Sequence, residues 1–303
     1  MIIDTYSSGD ATADRRAEYA ADYAAGGDAA AAAELMEQAL QRAPGWAAGW
    51  MRLADYRDAA GDRDGAASAC RQALELDPAD GQGAGLRLAA YGLVPPPDTA
   101  PPAFVRGLFD QYADRFETAL VEKLDYAAPA ELEAALIAAA GLGRRFRAAL
   151  DLGCGTGLMG ERLHSLVDRL VGVDLSPGML EKARRKSIYD DLTEGDILGF
   201  VAEPCTFDLV TAADVLNYLG DLTPVFARVA TWLAPGGLFA FTVEAQGGPE
   251  PFMLRETMRY AHDGAAVLGL LEEAGFKVMD QRSIVLRTDR GAPVAGIVFV
   301  AAR

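Results

Sequence analysis

The stretch RAALDLGCGTGLMGERL, Arg147 to Leu163, constrains the fold more than any other part of this chain. A short apolar run leads into Gly153, Gly155, Gly157 and Gly160, after which a helical pattern begins. Glycines at this spacing permit a sharp turn and close approach of a ligand to bare backbone amides. The unit reads as strand, tight turn, helix, the opening of a layered α/β sheet.

The alternation continues downstream. Strands are expected at RAALDL, RLVGVDL, LTEGDI, FDLVTAAD and GLFAFTVE, then two longer ones near KVMDQRSIVLR and VAGIVFVAA, with helices between them. The fold class expected is α/β, a doubly wound, mostly parallel, seven-stranded Rossmann-like sheet covered on both faces. Ser176-Pro177 and Thr223-Pro224 each place a capping hydroxyl before a proline at the first helical position. Ligands of such sheets bind beyond the carboxyl ends of the strands.

A different pattern precedes the sheet. Pro44 and Pro78 lie 34 residues apart, and the same step relates Gly27 to Gly61, Ala32 to Ala66, Ala39 to Ala73 and Leu40 to Leu74. The second copy, with Trp50, Leu53, Gly61, Ala66, Ala73 and Pro78, resembles the tetratricopeptide repeat; the first has Arg16 and Tyr19 where Trp and Leu are usual. A helix around Gly85 to Leu93 is expected to cap the pair. The proline-rich VPPPDTAPP then reads as a semi-rigid spacer. The expected organisation is an all-α repeat domain over 1–93, a linker over 94–102 and the α/β domain over 103–303.

The glycine stretch carries two fingerprints. Gly155-x-Gly157-x-x-Gly160 is the dinucleotide pattern, whereas Asp151-x-Gly153-x-Gly155-x-Gly157 is associated with S-adenosylmethionine. A carboxylate at the mouth of the first strand repels a pyrophosphate, while a sulfonium and an ammonium welcome it. Asp151 therefore favours S-adenosylmethionine.

LDLGCGTG followed by VGVDLSPGMLEKAR resembles motifs I and II of the class I methyltransferases, and EGDI, FDLVTAADVLNYL, LAPGG and LEEAGFKV extend the likeness over most of residues 104 to 303. The resemblance implies a cofactor site in which Gly153 and Gly155 admit the amino-acid moiety and Asp174 binds both ribose hydroxyls. Leu175 and Met179 would flank the adenine, Asp196 would meet its amino group with Ile197 beside it, and Asp214 would follow the fourth strand. LFDQYADRF resembles the lid helix of these enzymes, with Tyr112 closing over the cofactor; the alternative is core packing, since Tyr112 belongs to the stripe Leu108, Tyr112, Phe116, Leu120 and Leu124. The repeats followed by the methyltransferase pattern resemble a bacterial family of repeat-containing methyltransferases.

The acceptor side is less legible, because methyl transfer from a sulfonium needs mainly alignment. Glu244, at the end of the fifth strand, and Tyr260 and His262, in the insertion EPFMLRETMRYAHDG, are the catalytic candidates, with His262 or Glu244 as base. Against this, Glu244 also reads as a solvated rim residue and His262 as a structural hydrogen-bonding group. Arg259 and Arg287 read as surface arginines, anion binding being the alternative, and Cys154 as close packing between glycines.

Composition narrows the partners. A formal charge of −16 disfavours nucleic acid. No apolar run approaches a membrane span, and MIIDTYSSGD lacks the pattern of a signal peptide, so a cytoplasmic location is expected with no membrane partner. Three scattered cysteines and two histidines give no expected metal site. The function expected is methyl transfer to a small-molecule or carrier-presented acceptor, with the repeats serving a protein partner or oligomerisation. The alternatives are a protein methyltransferase recruiting its substrate through the repeats, a nucleotide-dependent oxidoreductase and a nonenzymatic adaptor.

Overall fold

Two glycines and two aspartates organise the N-terminal helices. Gly27 and Gly61 adopt left-handed φ values of +87° and +84°. The following Asp28 and Asp62 cap helices with carboxylates that accept the Ala31 and Gly65 amides. They start α2 (Ala29–Arg42) and α4 (Arg63–Leu76), which follow α1 (Ala11–Ala25) and α3 (Ala47–Ala59). Each residue of α2 has its counterpart in α4 at the same 34-residue step, and the buried faces match: Ala32, Met36 and Ala39 against Ala66, Cys70 and Ala73. Leu53 is buried, whereas its counterpart Tyr19 is 55% exposed. α5 (Ala84–Ala90) packs against α4.

The computed structural model describes residues 7–116, 126–141, 143–289 and 291–303. These form two compact units, one ending at Leu108 and including Glu256–Met258, the other comprising Phe109–Arg255 and Arg259–Arg303. The division falls inside α6 (Pro102–Tyr112), beyond the 94–102 spacer expected from the prolines. The apolar stripe expected to continue through Leu120 and Leu124 is interrupted after Tyr112 by a turn over 113–115; Phe116 is helical again, and Leu120 and Leu124 lie outside the described residues. No helix of the described residues is long and apolar enough to cross a membrane.

The second unit is one mixed sheet flanked by helices. Its strands are β1 (Ala149–Leu152), β2 (Leu170–Asp174), β3 (Asp191–Glu194), β4 (Phe207–Ala212), β5 (Leu233–Ala245), β6 (Phe252–Leu254), β7 (Tyr260–His262), β8 (Lys277–Asp289) and β9 (Ala292–Ala302). The order is β3-β2-β1-β4-β5-β7-β6, with β9 pairing β5 and β8. β1 to β5 pair in parallel, and β9 runs antiparallel to both β5 and β8. The expected seven strands are therefore nine. The two additional strands, three residues each, lie in the insertion after β5 and are too short to show an alternating pattern.

Alternation along the strands sends side chains to two cores. Leu150, Val173, Val210, Phe239 and Phe241 pack with Val225, Phe226 and Val229 of α10 (Thr223–Trp232) and with Leu271 of α11 (Gly264–Glu273). Ala149, Leu170, Leu209, Ala240 and Val300 pack with Leu132 and Leu136 of α7 (Ala128–Ala140) and with Leu163 of α8 (Leu158–Leu163). Burying a side chain of this size stabilises by roughly 1.5–3 kcal/mol, so covering both faces is what holds a parallel sheet. Of the two hydroxyl caps expected, Ser176 forms one, its Oγ accepting the Met179 amide at 3.0 Å at the start of α9 (Pro177–Lys186). Thr223 does not; Asp221 takes the Thr223 amide instead.

Candidate active site

The glycine turn leaves β1 in a conformation that only glycine adopts freely. Gly153, Gly155 and Gly157 have φ of +62°, +54° and +92°, and a Cβ at Gly153 would collide with the Val215 side chain. Beside the turn stands Asp174 at the carboxyl end of β2. Its Oδ2 accepts the Gly155 amide and its Oδ1 the Ser176 amide, each at 2.8 Å. One acceptor position remains on each oxygen, the number that a pair of vicinal hydroxyls requires. The Gly195 amide donates to the Asp174 carbonyl at 3.0 Å, which brings Asp196 and Ile197 to the same strand end.

Asp151 sits differently from its expected role. Its Oδ1 accepts from Thr211 Oγ1 at 2.8 Å and its Oδ2 from the Tyr189 hydroxyl at 2.7 Å, and it is 1% exposed. It supplies a buried charge rather than an open acceptor. Burial raises both carboxyls, Asp151 to about 6 and Asp174 to about 6. Leu175 is half-buried, Met179 is wholly buried in α9, and Ile197 joins the core. Asp196 Oδ1 accepts the Leu198 amide. The Cys154 thiol is buried and pushed up by burial and by Asp151, in keeping with packing rather than reactivity.

Aromatic rings connect the turn to the strand ends opposite. Phe116 lies within 4.0 Å of where a Gly155 Cβ would stand. Its ring meets Tyr112 and Phe109 edge-on, and Phe109 meets Tyr218 at 5.6 Å. Tyr112 is half-buried in this cluster. A contact the sequence did not signal fixes the end of α6: Asp110 Oδ1 accepts the Ser176 hydroxyl at 2.5 Å and the Gly178 amide at 3.1 Å.

At the carboxyl ends of β4 and β5 the structure gathers charges that looked unrelated in sequence. Arg287, expected at the surface, has a side chain only 2% exposed. Its Nη1 donates to Asp214 Oδ1 and Oδ2 at 2.8 and 2.7 Å, and its Nη2 donates to Glu244 Oε1. Glu244 is correspondingly buried, not a solvated rim residue, because β7 and β9 pair with β5 on either side of it. Arg255 Nη1 lies 3.6 Å from Glu244 Oε2. Asp214, at φ +57°, is held by its amide donating to Thr242 Oγ1 and by Asn217 Nδ2 donating to its Oδ1. Its carboxylate is thus committed to Arg287 and Asn217. Arg259 Nε donates to the Tyr218 hydroxyl oxygen at 3.3 Å.

Tyr260 and His262 are both fully buried on β7, with Phe252 against both rings. A carbonyl oxygen only accepts, so the 3.1 Å contact between His262 Nε2 and the Gly220 carbonyl places the proton on Nε2. Nδ1 has no hydrogen-bond partner among the described residues. Burial lowers the imidazole below its usual value and keeps it neutral.

Residues 149–237 match the family model described as "Methyltransferase domain". The chain is 36% identical over 136 residues to a malonyl-[acyl-carrier protein] O-methyltransferase of Halalkalibacterium halodurans, covering 42% of this chain and 48% of that protein. It is 34% identical over 100 residues to a ubiquinone biosynthesis O-methyltransferase of Xanthomonas euvesicatoria, covering 31% and 42%. The chain thus spans less than half the length of these curated relatives. Among solved structures, the Burkholderia thailandensis 1,6-didemethyltoxoflavin-N1-methyltransferase, with bound S-adenosylhomocysteine, superposes with a TM-score of 0.54 at 22% identity, covering 69% of this chain and 93% of that one. Residues 149–237 are therefore a methyltransferase domain, set in an α/β unit that shares the fold of S-adenosylmethionine-dependent methyltransferases.

Proposed function

We propose that the chain transfers a methyl group from S-adenosylmethionine to a small-molecule or carrier-presented acceptor. Asp174 carries the reading: a buried carboxylate with two open acceptor positions beside a glycine-only turn suits a ribose and a cationic amino-acid moiety. A pyrophosphate would meet the charges of Asp151 and Asp174 at that place, which disfavours the oxidoreductase alternative.

The bound cofactor would supply an already activated methyl group. The chain's own residues then bind, orient and exclude water. Gly153 and Gly155 admit the amino-acid moiety, Asp174 holds the ribose, and Leu175, Met179, Asp196 and Ile197 border the adenine. Tyr112, at the end of α6, and Phe116, just beyond it, cover the turn. Alignment of this kind accounts for roughly 7–11 kcal/mol in well-oriented reactions. Glu244, Tyr260 and His262 belong to the acceptor side, where β7 and the 216–218 turn meet.

The relatives named for O-methylation of a malonyl-carrier protein and of a ubiquinone precursor support a small or carrier-presented acceptor. The exact 34-residue recurrence of α2 and α4 supports reading the N-terminal unit as tetratricopeptide-like, with a protein partner or a second copy of the chain as its role. Calorimetric titration tests the cofactor assignment: S-adenosylhomocysteine should bind in the micromolar range and NAD should not. Binding of NAD alone would reject it.

A further inference from the structure

Resting on the methyltransferase reading, we infer that the acceptor is a carboxylate, held by Arg259 and methylated on oxygen without a general base. The first support is charge. Around the ends of β4 and β5, Arg255 and Arg287 pair with Asp214 and Glu244, and Arg259 lies within reach of the same two charges, so these described residues carry one positive charge in excess. Arg287 is satisfied by both carboxylates, and Arg255 also donates to the Ala245 carbonyl. Among these described residues, Arg259 is the cation with no carboxylate in hydrogen-bond range. Its Nε donates to a neutral phenol oxygen, and its two Nη groups have no acceptor among the described residues. A half-buried guanidinium with its fork open matches a carboxylate in shape and charge.

The second support is the state of the candidate bases. Glu244 is locked between Arg287 and Arg255, and His262 spends its Nε2 proton on the Gly220 carbonyl inside an apolar enclosure of Phe252 and Tyr260. Glu244 is therefore not free to take a proton from an alcohol or an ammonium, and the one basic lone pair of His262, on Nδ1, is shut away in a residue only 2% exposed. A carboxylate acceptor releases none. Its oxygen bonds to the methyl carbon as the carbon–sulfur bond breaks, and that electron pair stays on sulfur. A methyl ester and the neutral thioether result, with charge balanced throughout.

The third support is position. Tyr218, which touches Arg259, stacks edge-on with Phe109, Phe109 with Phe116, and Phe116 covers Gly155. Arg259 is one aromatic chain away from the glycine turn, on the acceptor side of the same site.

The test uses the full chain in two steps. S-adenosylhomocysteine is first titrated by calorimetry into wild type, Arg259→Gln and Arg259→Lys, and its affinity should stay within about threefold, since Arg259 touches no cofactor residue. The loaded proteins are then titrated with free dicarboxylates and with short acyl thioesters ending in a carboxylate, each against its carboxamide. Carboxylates should bind wild type at least about tenfold better than carboxamides, lose that preference in Arg259→Gln and regain part of it in Arg259→Lys. Preference for the thioester arm identifies a carrier-presented acid, and preference for the free arm a soluble one. With labelled S-adenosylmethionine, the product formed from the bound carboxylate should release labelled methanol in alkali. Equal binding of carboxamides, no carboxylate binding, indifference to Arg259→Gln, or alkali-stable label would each overturn the inference. Failure of S-adenosylhomocysteine to bind in the first step would instead reject the methyltransferase reading beneath it.

Discussion

The two ends of the candidate site handle buried charge in opposite ways. At the ends of β1 and β2, Asp151 and Asp174 are buried with only hydroxyls and amides as partners. At the ends of β4 and β5, the carboxylates of Asp214 and Glu244 pair with Arg287 and Arg255, and Arg259 stands on the neighbouring Tyr218 hydroxyl. An uncompensated buried charge is costly, and a fold retains it where a ligand of opposite sign completes it. The first end thus suits a cationic ligand and the second an anionic one. A cofactor bearing a sulfonium and an acceptor bearing a carboxylate would meet between them.

The largest expected effect comes from breaking the arginine side. Arg287→Met strands Asp214 and Glu244 without their shared cation, and losing one partner of a buried pair costs about 3–5 kcal/mol. Denaturant unfolding of the full chain should show that loss; a change under about 1 kcal/mol would mean the carboxylates are solvated rather than buried. The acidic side should reveal itself through pH. Asp151 and Asp174 are raised from 3.8 to about 6 by burial, so the folded protein holds more protons than the unfolded one between those values. The stability associated with their protonated forms is complete below about 4 and is lost as pH rises through about 6. Each pKa unit corresponds to about 1.4 kcal/mol. Asp151→Asn should flatten the fall measured by unfolding at pH 4 to 7, and an unchanged slope would show that Asp151 is not buried as a charge. Affinity for S-adenosylmethionine should move the other way, rising from pH 5 to 7 as Asp174 ionises.

Third in size is Asp174→Ala, which removes charge-assisted hydrogen bonds worth roughly 1.5–3 kcal/mol. Calorimetry should show S-adenosylhomocysteine binding weakened by about 10- to 150-fold. Wild-type affinity in this variant would move the cofactor away from β2.

The contrast also explains what could be read in advance. The acidic end is local in sequence: Asp151, the glycines and Asp174 lie within 24 residues, and strand–turn–helix geometry dictates where each points. The arginine end is assembled by sheet pairing. Arg287 reaches Asp214 and Glu244 only because β9, which runs antiparallel to β5, brings β8 back toward the site. Nothing in the residues flanking Arg287 signals this, so a surface position was the natural expectation. The strands of Tyr260 and His262 escaped for a related reason, since three residues carry no periodicity and their pairing with β5 and with each other is what defines them. The N-terminal helices were the most legible part, because the turns between them are local and their glycines and capping aspartates, Gly27-Asp28 and Gly61-Asp62, stand 34 residues apart.

The smallest expected effect concerns what holds α6 over the acidic end. Ser176 Oγ accepts the Met179 amide as a helix cap and donates its hydroxyl to Asp110 Oδ1, which also accepts the Gly178 amide. This short chain ties the residues before Tyr112 and Phe116 to the helix that follows Asp174. Ser176 remains a competent cap without Asp110, so Asp110→Ala should leave α9 folded and loosen only the cover. Hydrogen bonds at a partly exposed position contribute about 0.5–1.5 kcal/mol. S-adenosylhomocysteine affinity should then weaken by roughly two- to tenfold, chiefly through faster dissociation in stopped-flow measurements, because the cover acts after the ligand has entered. An unaltered dissociation rate would mean that α6 packs as part of the core and does not close over the cofactor. A loss as large as that of Asp174→Ala would mean that Asp110 contacts the cofactor itself.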